Sequence, residues 1–408
     1  HADAPAAPTA VAAPPKLLMV DDDTHCPVAP IPGHAPGLAI TSQLEPSELW
    51  FPAPGERAFS PSPLPPRSFV SLHEELLGKD VGTLALDYPG GLDLDRADGM
   101  FLRRLDACGG RVSCTQTGGA GDSGTGSMWH YLMLAGPSRA RLHRSEALYR
   151  HAFTGRQVVR AATRATIGDG AFCMGMGLGI DNRRHIPPFM PITRNGDGLF
   201  ACALRLCVHD AYLGFLPWIV EHLPPEPRRS PFEELWSSLR GISSNDILVH
   251  MLLGSHLEVD KRDPDENLRA LGATLERWAR LPAADFEEIA RLNVLRARAH
   301  DLVTLDDILR RHQRQPAYWA EDIDRAAAAI REVIGRLRHQ ARSPERRVHL
   351  SLIGHSFGGL IVYSAIAESL LDSLSEREAG VIRMRFGLGD GRVLVYPAMT
   401  APHKNHRF

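Results

Sequence analysis

The segment Gly354-His355-Ser356-Phe357-Gly358 is where residue types and spacing most directly suggest chemistry. It follows the apolar run VHLSLI and leads into a second one, GGLIVYSAI, with a different period. A passage from strand to helix this tight leaves no room for side chains two positions before and two after the serine, and Gly354 and Gly358 meet that demand. Gly359 lets the helix approach the strand. The serine is then held at the carboxyl edge of a sheet, where α/β proteins place their ligands. The helix N-terminus offers backbone N–H groups to a developing oxyanion, that of Phe357 first. The chemistry this arrangement supports is attack by Ser356 on an acyl carbonyl. His355 is expected to pack or hydrogen-bond rather than act as the base.

The elements that must position Ser356 read as α/β. The run 348–353 is the strand before the turn, and GGLIVYSAIAESLLDSL is the helix after it. LFACALRLCV, AYLGFLPWIV, DILVHMLLG (246–254) and RVLVYPA near residue 395 read as further strands, the third apolar enough to be buried on both faces of a parallel sheet. SPFEELWSSLRG reads as a short helix. Another starts at DPDEN with Asp263 as N-cap and Pro264 at its first position. Residues 284–313 read as helical with a possible strand, and 319–340 as a helix burying Ile323, Ala327, Ile330, Ile334 and Leu337. The fold class expected is α/β with a mainly parallel sheet over residues 205–408.

These residues resemble the α/β-hydrolase superfamily, and more narrowly its bacterial lipase- and esterase-like serine hydrolases. SLIGHSFGG is similar to the nucleophile turn of that family. DILVHMLLGSH, DPDENLRALGATL and VLVYPAM are similar to other stretches of it. The resemblance implies a small-molecule or lipid ester substrate, no cofactor and no metal. It also implies a second oxyanion N–H near Gly254 or Ser255, although Leu253-Gly254 stands where the family has His-Gly and Tyr396 where it has Asn. The family's acid and histidine lie beyond the VLVYPA strand, and here only eleven residues follow Pro397. The domain therefore reads as C-terminally incomplete and the chain as a poor esterase. His403 and His406 are weak candidates for the base, and Asp390 falls at the wrong end of its strand. The alternative is a hydrolase-like domain without turnover, serving as a binding module.

The rest of the chain offers less. Residues 1–66 are rich in Ala and Pro and read as a disordered tail, and residues 67–204 carry no assignable fold. A formal net charge of -2 gives no reason to expect nucleic acid. No apolar run approaches the roughly 18 residues needed to span a bilayer. Six cysteines without a Cys-x-x-Cys pair point to reduced thiols and a cytoplasmic setting. LLMVDDDTH and VGTLALDYPGG are similar to the strands of a phosphate-receiving domain, with Asp21 or Asp22 for Mg²⁺ and Asp87 as acceptor. The expected lysine is missing, so the likeness reads as chance. GDSGTG (121–126) and GMGLGIDN read as loops.

Overall fold

The structure, a computed structural model, describes residues 16–21, 23–59, 67–125, 128–184, 186–190, 194–226, 228, 231–255, 263–340 and 395–397. The nucleophile turn at 354–358, the strand expected at 348–353, and Asp390, His403 and His406 lie outside the described residues.

Runs of branched and aromatic residues build one mixed sheet. Its strands are β1 (Lys16–Val20), β2 (Thr24–Pro30), β3 (Leu38–Thr41), β4 (Glu48–Trp50), β5 (Leu92–Arg96) and β6 (Arg111–Asp122). They continue with β7 (Gln157–Ala161), β8 (Ala165–Gly168), β9 (Gly177–Asp181), β10 (Ala211–His222) and β11 (Val395–Pro397). The main order is β11-β1-β9-β6-β10-β8-β3-β5, with β2 on β10 and β7 joining β6 to β4. The pairs β1–β11, β6–β10, β3–β5 and β3–β8 are parallel. The others are antiparallel, as where β9 lies between β1 and β6.

The helices among the described residues are α1 (Phe69–Glu74), α2 (Val81–Asp87), α3 (Gly99–Cys108), α4 (Gly136–Leu142), α5 (Glu146–Gly155) and α6 (Gly196–Cys207). After them come α7 (Glu234–Leu239), α8 (Ser244–Gly254), α9 (Pro264–Ala279), α10 (Ala283–Arg311) and α11 (Ala317–Gln340). None is long and apolar enough to cross a membrane. Strand β10 shows how the layers form. Leu213 and Phe215 pack with α6, α8 and α9, while Tyr212 and Leu216 pack with α1, α2 and α3 on the opposite face. A strand covered on both faces needs an apolar residue at every step, as here. A second core joins α4, α5, α7 and α11 around Tyr131, Tyr149, Phe153 and Trp319. Helix α10 bridges the two, placing Phe286 and Val294 in one core and Leu305 and Leu309 in the other.

Several expectations are corrected. The stretch read as a disordered tail supplies β1 to β4. Its prolines are accommodated because β2 pairs only with β10, and the register shifts between His25 and Val28, where Pro27 falls. The run DILVHMLLG is helix α8, not a strand. Periodicity cannot separate a short apolar strand from a buried helix, and the deciding signal is the capping box made by Ser243 and Asp246. Gly254 is therefore the last residue of α8, with the Asn293 side chain of α10 close to where its Cβ would be. No strand delivers it to an oxyanion. LFACALRLCV is likewise α6. GDSGTG starts within a buried strand, its Gly121 and Asp122 being the last residues of β6, and GMGLGIDN contains β9. Asp87 ends α2. The helices expected near 234, at 264 and over 319–340 correspond to α7, α9 and α11, while 284–313 is occupied by α10 without a strand.

His73 of α1 is fully buried, with Nδ1 2.7 Å from Thr115 Oγ1 and no partner for Nε2. Burial penalises its cation and pushes its pKa down to about 3. Between roughly pH 6.5 and 3 the unfolded chain takes up a proton that the folded chain refuses. Stability from this group is complete above about pH 6.5 and is lost on acidification, with a slope approaching ~1.4 kcal/mol per pH unit. In urea titrations from pH 7 to pH 4, His73→Gln should flatten that part of the profile. An unchanged slope would assign the acid sensitivity elsewhere.

Candidate functional site

Strands β1, β6 and β10 run in one direction, because β6 and β10 are parallel and β9 is antiparallel to both β1 and β6. Their carboxyl ends open on the same edge. Each ends in a polar group: Asp21 directly follows β1, Asp122 is the last residue of β6 and His222 the last of β10. Asp23 follows in the turn from β1 to β2, its backbone carbonyl accepting from Leu223 N–H just past β10. Asp23, Asp122 and His222 are only 7%, 3% and 2% exposed, so their charges must be compensated within the fold.

Arg156, which caps α5 in a left-handed conformation, supplies most of that compensation for Asp122. Its Nε donates to Oδ2 at 2.9 Å and its Nη2 to Oδ1 at 3.0 Å, with a further bond to the Thr125 carbonyl at 2.8 Å. Gly124 N–H also donates to the carboxylate. Burial works to raise the pKa of Asp122, but the Arg156 hydrogen bonds, the Gly124 N–H and the charges of Arg156 and Arg228 outweigh it and hold the group below its ordinary value.

His222 joins the two carboxylate positions. Its Nδ1 lies 2.7 Å from the Asp122 carbonyl oxygen, and its Nε2 lies 2.9 Å from Asp23 Oδ1. Asp23 Oδ2 accepts from Arg228 at 2.7 Å. Burial opposes a charged imidazole, yet the Asp23 hydrogen bond, the Asp122 carbonyl and the two carboxylate charges outweigh it and raise its pKa. Asp21, Asp23 and His222 each bring one donor atom to a common region, all within 4.8 Å of one another. They are the residues placed to hold a metal ion.

The site touches a narrow cleft lined by Gln116, Thr117, Asp122, Ser123, Arg160 and Met176. Thr117 Oγ1, in a residue 6% exposed, has no hydrogen-bond partner. Ser123 does not form a triad with His222: its hydroxyl faces Thr125 Oγ1 at 3.1 Å, and both nitrogens of His222 are engaged elsewhere.

Of the residues singled out in the sequence, Ser356 and Phe357 lie outside the described residues, and Gly254 ends helix α8. Asp21, set aside with the phosphate-receiving likeness, stands at the site, as does the GDSG segment. Asp23, Asp122, His222, Arg156 and Arg228 were not anticipated. The available signal was positional: three strands that each end in an acid or a histidine. The sequence matches no protein-family model, and no curated protein or solved structure is similar to it.

Removing one partner of the Asp122–Arg156 pair leaves a buried guanidinium uncompensated. Asp122→Asn should destabilise the fold by about 3 to 5 kcal/mol in chemical denaturation, and Asp122→Leu combined with Arg156→Met should recover much of that loss. A cost below about 1 kcal/mol for the single change would show that the pair is far more solvated than its burial implies.

Proposed function

We propose that this chain is a serine hydrolase acting on an ester or related acyl bond, with Ser356 as nucleophile. The observation that carries the proposal is the Gly-x-Ser-x-Gly turn between two apolar runs of different period. Support comes from strand β11, expected from the sequence and parallel to β1 in the sheet. In the first step Ser356 Oγ bonds to the acyl carbon while its proton passes to a base, and the leaving group departs with a proton. Water then releases the acyl group. Phe357 N–H stabilises the oxyanion in both steps. The six cysteines are free, in keeping with a reducing, cytoplasmic setting.

A fluorophosphonate probe should label Ser356, as located by peptide mass spectrometry, and Ser356→Ala should abolish that labelling, while p-nitrophenyl ester turnover by this chain, which is expected to be slow, should change little. Should the folded chain resist the probe and hydrolyse no ester, the inert, binding-module alternative replaces this proposal.

A second reading is favoured by the carboxyl edge itself. Carboxylates converging with an imidazole, beside Arg156 and Arg228, suit a divalent cation and an anionic substrate better than a neutral ester. On that reading the edge would handle a phosphorylated substrate, and a divalent cation held by Asp21, Asp23 and His222 would supply charge neutralisation there.

A further inference from the structure

Resting on that second reading, we propose that Asp21, Asp23 and His222 form a divalent-cation site of the Mn²⁺ or Mg²⁺ type, with open coordination positions for phosphate oxygens.

The histidine is set up as a ligand. A carbonyl oxygen can only accept, so the 2.7 Å contact with the Asp122 carbonyl fixes a proton on Nδ1. That leaves Nε2 as the nitrogen facing the carboxylates. A ring N–H anchored on a backbone carbonyl is how metal-ligating histidines are oriented. The ring is also held in place by the loop beside it. Gly124 has a φ of +67°, and a Cβ there would lie 3.4 Å from His222 Cε1. That is ordinary van der Waals contact, and it is the left-handed backbone that favours glycine at this position.

The carboxylates complete the set. Asp23 offers Oδ1 on the side of His222, while Oδ2 is held by Arg228 at 2.7 Å. Asp21 adds a third donor, the three lying within 4.8 Å of one another. Bonds of about 2.0 to 2.4 Å to one central ion span such a spread. The two carboxylate oxygens suit Mn²⁺ or Mg²⁺, while the imidazole also suits Zn²⁺ and Fe²⁺. Three protein ligands leave about half of an octahedron open.

A separate observation points to an anionic ligand at those open positions. Arg194, an exposed residue, lies within electrostatic reach of Arg156 and Arg228, and burial and their charges lower its pKa against the opposing charge of Asp122. Arg156 and Arg228 both reach Asp122, the latter at 3.9 Å, and Arg228 also holds Asp23, so two guanidiniums stand at the carboxyl edge. A phosphate group carries the charge and the acceptor oxygens that such a cluster lacks.

The full chain should be titrated with MnCl₂ and free Mn²⁺ followed by electron paramagnetic resonance. One site is expected, weakened at least tenfold by Asp21→Asn and by Asp23→Asn. Pulsed spectra of the bound ion should show nitrogen coupling that disappears in His222→Gln. Circular dichroism of each variant separates loss of ligand from loss of fold, and Asp21→Asn, at the least buried of the three positions, keeps the test valid if the other variants unfold. Absence of binding at millimolar Mn²⁺, or binding indifferent to Asp21→Asn in a folded protein, overturns the site. Inorganic pyrophosphate should perturb the bound-Mn²⁺ spectrum. Cation binding that pyrophosphate leaves untouched upholds the cation ligands and removes the phosphorylated-substrate reading.

Discussion

The parallel pairing of β6 with β10 is the constraint on which the rest of the molecule depends. Both strands are twelve residues long and almost entirely buried, and their ladder runs from Ala211–Arg111 to His222–Gly121. Parallel strands release their chains at the same edge. Everything polar that follows either strand must therefore be accommodated in one place. Asp122 and His222 are adjacent because two hydrophobic ladders end together, and β1 joins them through the antiparallel strand β9.

That geometry creates an electrostatic problem which the surrounding loops resolve. Buried carboxylates are tolerable only when paired and hydrogen-bonded. The left-handed cap at Arg156 turns a guanidinium back onto the sheet edge, and Arg228 reaches it from the segment after β10. The glycines of TGGAGDSG have positional reasons as well. Gly118 lies against Arg160 and Ala161 of β7, and Gly121, with φ of +109°, lies against the carbonyl of His222. Side chains at these positions would separate the strands that bring the charges together.

What the sequence made legible follows from the same physics. The amphipathic helices α9 and α11 were readable because a 3.6-residue period has few other meanings, and α9 adds an Asp-Pro start with Asp263 as its cap. Strand β10 and the short helix α7 were readable for similar reasons. The segment of α8 was not, because helices buried on several sides lose their period, and only Ser243 and Asp246 distinguish it from a strand. The strands β1 to β4 were hidden by proline content, since composition is an average and edge pairing is local. The carboxyl-edge site was hidden for a different reason. Asp21, Asp122 and His222 are about a hundred residues apart in succession, and only strand direction brings them together. No spacing rule recovers that.

The pairing of β1 with β11 bears on how the protein is made. Its register joins Leu18 to Val395 and Val20 to Pro397, so one flank of β1 is completed by residues synthesised long after it. Until they emerge from the ribosome, β1 can pair with β9 on one side while its other side remains an open template for backbone pairing. Its sequence, KLLMV, carries a single charge, Lys16, to discourage association with another chain. Contacts this distant in sequence also form slowly. Nascent chains are therefore exposed to mispairing longest at the strand that leads directly into Asp21.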